Sequence, residues 1–116
     1  MNAPWTPEWL DVGAVASIPL RGARTMRLAD GEEIAIFRTS GNRVFALVNS
    51  CPHKKGPLSQ GIVHGNSVTC PLHNWNISLE TGEAQGEDKG CTPKIPLRID
   101  GGRIMIRREI AMGAVA

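Results

Sequence analysis

The chain has 116 residues, a formal net charge of +2 and few aromatic side chains, 4% of the total. This length suits one compact domain over residues 1–116, and the lack of a basic patch interleaved with aromatics argues against nucleic-acid binding. No run approaches the roughly 20 apolar residues of a membrane span, and Met1–Leu20 lacks the features of a secretory signal. Three cysteines give no disulfide framework, which fits a reducing compartment, so we expect a cytoplasmic protein without a membrane segment.

The first half of the chain predicts a meander of short antiparallel strands. Asp30-Gly31 and Ser40–Asn42 are turn signals between apolar runs. The strands predicted around these turns are Val12–Ala16, Ala23–Leu28, Ile34–Arg38 and Val44–Val48. Such a series favours an all-β antiparallel sandwich or a partly open barrel.

Residues 50–81 differ from this pattern because they are rich in Gly, Pro, Ser and Asn, with only very short apolar pieces. They predict a small subdomain built around loops. A polar loop follows at residues 82–93, and two further strands are predicted at Lys94–Ile99 and Arg103–Arg107, separated by a turn at Asp100–Gly102.

The loop-rich subdomain contains two pairs of metal-ligating side chains, Cys51-x-His53 and Cys70-x-x-His73. Two thiolates and two imidazoles at these spacings can hold a [2Fe–2S] cluster, with both cysteines on one iron and both histidines on the other. A Cys₂His₂ zinc site is the alternative. Each pair mixes Cys with His, however, and no helical pattern follows His73, so we favour the iron–sulfur interpretation and predict these four residues as cofactor ligands.

Other residues near the pairs have less specific interpretations, and no catalytic residue is predicted. We expect His64 to be a solvent-exposed turn histidine rather than a ligand, and Cys91 to be a free thiol in a loop. Trp75 either shields the cluster from water or serves as an ordinary core aromatic. Lys54 and Lys55 either steer an anionic partner or form an ordinary solvated pair.

The two ligand motifs closely resemble those of Rieske-type [2Fe–2S] proteins. The resemblance implies a Rieske-type antiparallel β-sandwich with a small, loop-rich cluster-binding subdomain at about residues 50–81. Members from membrane-bound cytochrome complexes carry two further cysteines that form a disulfide, and Gly56 and Leu72 occupy the equivalent positions here. High-potential members also carry a tyrosine that hydrogen-bonds the cluster region, whereas this chain has no tyrosine. Both departures imply a soluble ferredoxin-like protein of low potential for its class, about −150 mV or somewhat above.

Three longer runs resemble the small subunit of assimilatory NAD(P)H-dependent nitrite reductase: Cys51–Gly61, Val68–Gly86 and Glu87–Pro93. The last run is not part of the general Rieske signature. The resemblance implies a non-catalytic electron-transfer subunit whose partner is a large subunit with FAD, a [4Fe–4S] cluster and sirohaem, which reduces nitrite to ammonium in nitrate assimilation. Some members lack the four ligands, whereas this chain keeps all of them. The alternatives are the Rieske ferredoxin component of an aromatic-ring dioxygenase system and a non-redox module with a structural metal.

Overall fold

The computed structural model describes residues 9–28, 31–51, 56–71, 74–85 and 90–107. Within these ranges ten strands form three antiparallel sheets, which confirms the predicted all-β antiparallel class. The only helical segments there are 3-10 turns at Val15–Ser17 and Leu58–Gln60, and neither has the length to cross a bilayer. The strands are β1 (Trp9–Ala14), β2 (Gly22–Arg27), β3 (Glu33–Arg38), β4 (Val44–Val48), β5 (Ile62–His64), β6 (Ser67–Thr69), β7 (Asn76–Ser78), β8 (Lys94–Ile95), β9 (Leu97–Asp100) and β10 (Arg103–Arg107).

The three sheets form successive layers around two apolar cores. The middle sheet has the strand order β2-β3-β4-β8, one outer sheet has the order β1-β10-β9, and the other has the order β5-β6-β7. The first core lies between the middle sheet and β1-β10-β9, and it includes Ile104 and Ile106 of β10, which both face inward. The second core lies between the middle sheet and β5-β6-β7.

The apolar run of β3 does not alternate with polar residues, because both faces of the strand are buried. Ile34, Ala35, Ile36 and Phe37 are all at most 1% exposed. Ile34 and Ile36 belong to the first core, whereas Ala35 and Phe37 belong to the second. A strand that is covered on both faces has no solvent side, so its four central residues are all apolar. Phe37 thus belongs to the face of the middle sheet on which β5-β6-β7 packs.

The segment predicted as loop-rich, residues 50–81, contains a small sheet of three-residue strands. Val63, Val68 and Ile77 point from successive strands into the second core, while their neighbours along each strand face outward. This alternation is the period-two pattern of a strand with one buried face. The strands are so short that their periodicity is hidden in the sequence.

Two predicted strand boundaries are wrong. The first strand spans Trp9–Ala14 rather than Val12–Ala16, because it pairs with β10 as far as Trp9 opposite Arg107 and gives way to a 3-10 turn at Val15. The segment Lys94–Ile99 was predicted as one strand but forms parts of two. Pro96 separates β8, in the middle sheet, from β9, in the outer sheet, because proline has no N–H to continue a ladder.

An ion pair joins the first and last strands. Arg103 donates from Nε and from its second terminal nitrogen to the two carboxylate oxygens of Asp11, at 2.9 and 3.1 Å. The hydrogen bond from Arg103 and a second one from the Gly13 N–H lower the pKa of the Asp11 carboxyl below its ordinary value. The same pair raises the pKa of the Arg103 guanidinium.

This ion pair predicts a small pH dependence of stability. Because the pKa of Asp11 is lower in the folded state, its contribution is present above the unfolded value of about 3.9 and is lost as the pH falls through the folded value. We expect Asp11→Asn to lower the melting temperature slightly at neutral pH, with the difference from wild type closing in acid. Melting curves at a series of pH values measure this difference, and a gap that is unchanged down to about pH 2 would contradict the prediction.

A close backbone approach at Gly61 gives a second prediction. A Cβ atom at this position would collide with the main-chain carbonyl of Thr69, on the neighbouring strand β6. We expect Gly61→Ala to cost about 1–3 kcal/mol of unfolding free energy, as overpacked sites do. Gly41→Ala is the control, since the nearest atom that a Cβ there would meet is the Thr39 hydroxyl oxygen at 3.8 Å, and it should stay within about 0.5 kcal/mol of wild type. Equal denaturation midpoints for the two variants would contradict the prediction, because they would show that Gly61 and Thr69 can move apart without loss of stability.

Candidate metal centre

Two cysteines are buried at the ends of strands that border the second core. Cys51 follows β4 after two residues, and Cys70 follows β6 directly. Both side chains are 0% exposed, and neither forms a disulfide within the described part of the chain. They belong to the apolar cluster that also contains Phe37 and Leu47 of the middle sheet. The sheets, rather than the loops alone, therefore position both thiols.

The two chain segments that begin at these cysteines close in the same way. The Cys51 N–H donates to the Gly56 carbonyl at 2.9 Å, and the Cys70 N–H donates to the Trp75 carbonyl at 2.7 Å. In each case the acceptor lies five residues after the cysteine. We call residues 51–56 the first loop and residues 70–75 the second loop. Two loops with the same backbone closure present two thiols in equivalent local settings, which agrees with the paired motifs in the sequence.

The two predicted histidine ligands, His53 and His73, lie outside the described residues, as do Lys54 and Lys55. The ligand assignment therefore stays a prediction for all four residues. Within the described part of the chain, no group of three or more His, Cys, Asp or Glu side chains is placed to hold a metal ion. Neither His64 nor Cys91 thus completes a set with the two buried cysteines.

Backbone hydrogen bonding limits which amides can tune a cluster held in these loops. The N–H groups of Cys51 and Cys70 already donate to main-chain carbonyls. These two amides are therefore not available to donate to cluster sulfur, a kind of bond that stabilises the reduced, more negative state. Asn74 has a φ of +59°, a left-handed conformation that asparagine tolerates, and it turns the chain just before the second loop closes.

Three further residues near the candidate site, His64, Cys91 and Trp75, lie within the described part of the chain. His64 is exposed, as predicted, although it lies in β5 rather than in a turn. Cys91 is an exposed free thiol, as predicted. Trp75 is partly buried against the second core and supplies the carbonyl that closes the second loop, so it has a structural role.

The polar segment after the cluster subdomain is a hairpin in its described parts. Ala84 N–H donates to the Gly90 carbonyl at 2.9 Å, and Thr92 N–H donates to the Gly82 carbonyl at 2.8 Å. The returning arm brings Cys91 to an open cavity of about 310 Å³ that Cys51 also lines. The spacing of 40 residues between these cysteines gave no sign of this proximity.

Sequence reasoning also missed the polar side chains that join the flanks of each loop. Asn49 bonds to Ser59 across the first loop, and Thr69 bonds to Asn76 across the second. Asn49 and Ser59 are 10 residues apart, and Thr69 and Asn76 are 7 apart. No short motif predicts contacts at these separations.

The described residues fit the cysteine half of a [2Fe–2S] site. Thiolates are the protein ligands that such clusters require, and two thiols on separate loops can meet one iron from two sides. Their apolar surroundings limit the access of water, one of the factors that set the potential of a cluster.

Comparison with protein families and known proteins agrees with this chemistry. Residues 8–96 match the Rieske [2Fe-2S] domain. The ferredoxin component of the naphthalene 1,2-dioxygenase system from Pseudomonas aeruginosa is 31% identical over 107 residues, which cover 87% of this chain and 96% of the relative.

Solved structures place the same fold in two functional settings. A Mycobacterium tuberculosis protein assigned as an NADH-dependent nitrite reductase small subunit has a TM-score of 0.76 at 26% identity, covering 86% of this chain and 94% of that one. The ferredoxin of carbazole 1,9a-dioxygenase from Nocardioides aromaticivorans IC177 has a TM-score of 0.76 at 22% identity, covering 87% and 98%, a similarity that concerns the fold alone.

These matches do not support the zinc alternative. They cover most of the chain and include the segments that carry both buried cysteines. The chain belongs to the Rieske [2Fe-2S] domain family of electron-transfer proteins, and its cofactor is a [2Fe–2S] cluster.

Proposed function

We propose that Cys51, His53, Cys70 and His73 bind the [2Fe–2S] cluster and that the chain carries single electrons to a larger oxidoreductase partner. The observation that carries this proposal is the pair of fully buried thiols on two loops with the same backbone closure. The histidine of each sequence pair belongs to the same loop as its cysteine, so the proposal needs no further segment of the chain to supply the imidazoles.

The proposed ligand set has a direct consequence for the reduction potential. When bound, the cluster accepts and releases one electron, and neutral imidazoles on one iron raise its potential above that of an all-cysteine cluster. The described residues contribute by burying both thiols and by closing both loops at their cysteines.

Removing a ligand tests the assignment. We expect His73→Ala and Cys70→Ser to abolish the Rieske-type electron paramagnetic resonance signal of the reduced protein, because each leaves an iron with an incomplete ligand set. Cys91→Ser is the matched control, since Cys91 is an exposed free thiol outside both loops, and it should keep the signal. The spectra are recorded after anaerobic reconstitution and reduction. A full signal in either ligand variant, or none in the wild type, would contradict the assignment.

For the partner, we propose the large subunit of an assimilatory NAD(P)H-dependent nitrite reductase, which carries FAD, a [4Fe–4S] cluster and sirohaem, in the cytoplasm. The support is the run of residues 82–93, which resembles that family beyond the general Rieske signature. The described part of this run is folded as a hairpin whose returning arm reaches the cavity beside Cys51. The similarity to the Mycobacterium tuberculosis small subunit, at 26% identity, is in accord.

A second candidate is the ferredoxin component of an aromatic-ring dioxygenase system. Its specific support is the 31% identity to the Pseudomonas aeruginosa naphthalene dioxygenase ferredoxin, which extends over nearly the whole of both chains. Both candidates use the same cluster and differ in the surface that the partner recognises.

Reconstitution with each partner separates the two candidates. We expect the chain to co-elute with the nitrite reductase large subunit in size-exclusion chromatography and to support NAD(P)H-dependent formation of ammonium from nitrite. The His73→Ala variant should still co-elute, with ammonium formation falling to the level of the large subunit alone, because docking is kept and the electron path is lost. Transfer of electrons to a dioxygenase oxygenase component, without binding to the large subunit, would instead establish the second candidate.

A further inference from the structure

A side-chain clamp joins the two flanks of the first loop. Asn49 lies two residues before Cys51, and its Oδ1 accepts a hydrogen bond from the Ser59 N–H at 2.8 Å. Its Nδ2 donates to Glu33 Oε1 at 2.8 Å, and its backbone N–H donates to the Glu33 carbonyl at 2.9 Å. The chain that enters the loop is thus tied both to the chain that leaves it and to the start of β3.

A second clamp spans the flanks of the second loop on the outer face of β5-β6-β7. Thr69 directly precedes Cys70, and Asn76 directly follows Trp75. The Thr69 hydroxyl donates to Asn76 Oδ1 at 2.6 Å. His64 Nε2 lies 2.8 Å from Thr69 Oγ1 and 3.3 Å from Asn76 Oδ1.

The hydrogen-bond directions in this group are consistent with one another. The single Thr69 hydroxyl hydrogen points to Asn76, so Thr69 Oγ1 is an acceptor toward His64. His64 Nε2 therefore carries a hydrogen, and the imidazole donates to the contact that closes the loop. An exposed histidine that belongs to neither ligand pair thereby gains a defined partner on each side of the second loop.

We propose that Asn49 and the group His64–Thr69–Asn76 are positioning residues, which hold the two loops in the geometry that retains the cluster. This inference rests on the proposed ligand set. Each loop is closed by one backbone hydrogen bond at its cysteine, and each clamp adds a side-chain hydrogen bond just outside that closure. The clamps reduce loop opening, and cluster release requires opening because both thiols are fully buried.

Variants of the reconstituted full-length chain test the clamps. We expect Asn49→Ala and His64→Ala to accelerate loss of the cluster's visible absorption under an iron chelator by about threefold to tenfold, the range of one net hydrogen bond. Both should broaden the electron paramagnetic resonance lines, because looser loops give a distribution of ligand geometries. His64→Gln keeps an N–H donor near Thr69, so it should release the cluster within about twofold of the wild-type rate.

Ser67→Ala is the matched control. Ser67 lies on β6 with Thr69, and its hydroxyl donates to Gln85 Oε1 at 2.9 Å, so its removal breaks no side-chain hydrogen bond between the flanks of either loop. It should leave both the release rate and the line width unchanged. Release in Ser67→Ala that is as fast as in His64→Ala would show a general effect of sheet stability and would overturn the proposal. So would wild-type rates in both clamp variants.

The test also distinguishes failure of the clamps from failure of the ligand assignment. A wild-type chain that takes up no cluster overturns the ligand set and the clamp proposal with it. A wild-type chain that holds its cluster, beside clamp variants with unchanged release and spectra, overturns the clamps alone. If His64→Ala releases the cluster fast and His64→Gln does not restore the wild-type rate, loss of the hydrogen bond is not the cause of the fast release. That outcome would overturn the clamp role of His64.

Discussion

Burial of the middle sheet on both faces is the constraint on which the rest of the structure depends. Strand β3 sends Ile36 into one core and Phe37 into the other, and both are at most 1% exposed. The outer sheet β1-β10-β9 therefore packs on one side of the same strand that supports the cluster subdomain on the other. The two buried cysteines share the second core with Phe37, so their position depends on packing that extends through all three layers.

This packing also favours a cluster of low net charge. Burial of a net charge in an apolar core is costly unless the charge is compensated. Two ferric ions and two sulfides carry a positive charge that two thiolates cancel, so the neutral imidazoles of the proposed ligand set would leave the oxidised cluster uncharged. One added electron then gives a single negative charge. A site with four thiolates would bring two more negative charges into the same core, which amide donors from short loops would have to offset.

The sequence predicted the parts of this molecule that follow from local chemistry. The apolar runs of β3 and β4 and the alternation of Ile104 and Ile106 indicated their strands, because each run is long enough to show its periodicity. The strands β5, β6 and β7 have three residues each, too few for a period to appear, and their segment was interpreted as loops. Pro96 moves the chain from one sheet to another, a change that depends on tertiary pairing.

The candidate site likewise has features that the sequence predicts and features that depend on the tertiary fold. The spacing of Cys51 and Cys70 from their histidines was visible because metal ligands within one loop are close in sequence. The clamps were not visible, because Asn49 and His64 contact residues that only the tertiary fold brings close to them.

If the hairpin of residues 82–92 selects the partner, as proposed above, partner choice is connected with the environment of the cluster. The fold is shared by ferredoxins and nitrite reductase small subunits, so recognition of different partners would use segments outside the common ligand loops. This hairpin bonds to β7 through the Gln85 N–H and the Asn76 carbonyl, at 2.8 Å, and then leads into β8 of the middle sheet. The hairpin therefore links the sheet β5-β6-β7, which carries the second loop, to the middle sheet, which supports both loops. A partner that binds at the hairpin would contact a segment anchored on Asn76, the residue that closes the second clamp, and recognition and cluster retention would then share one set of contacts.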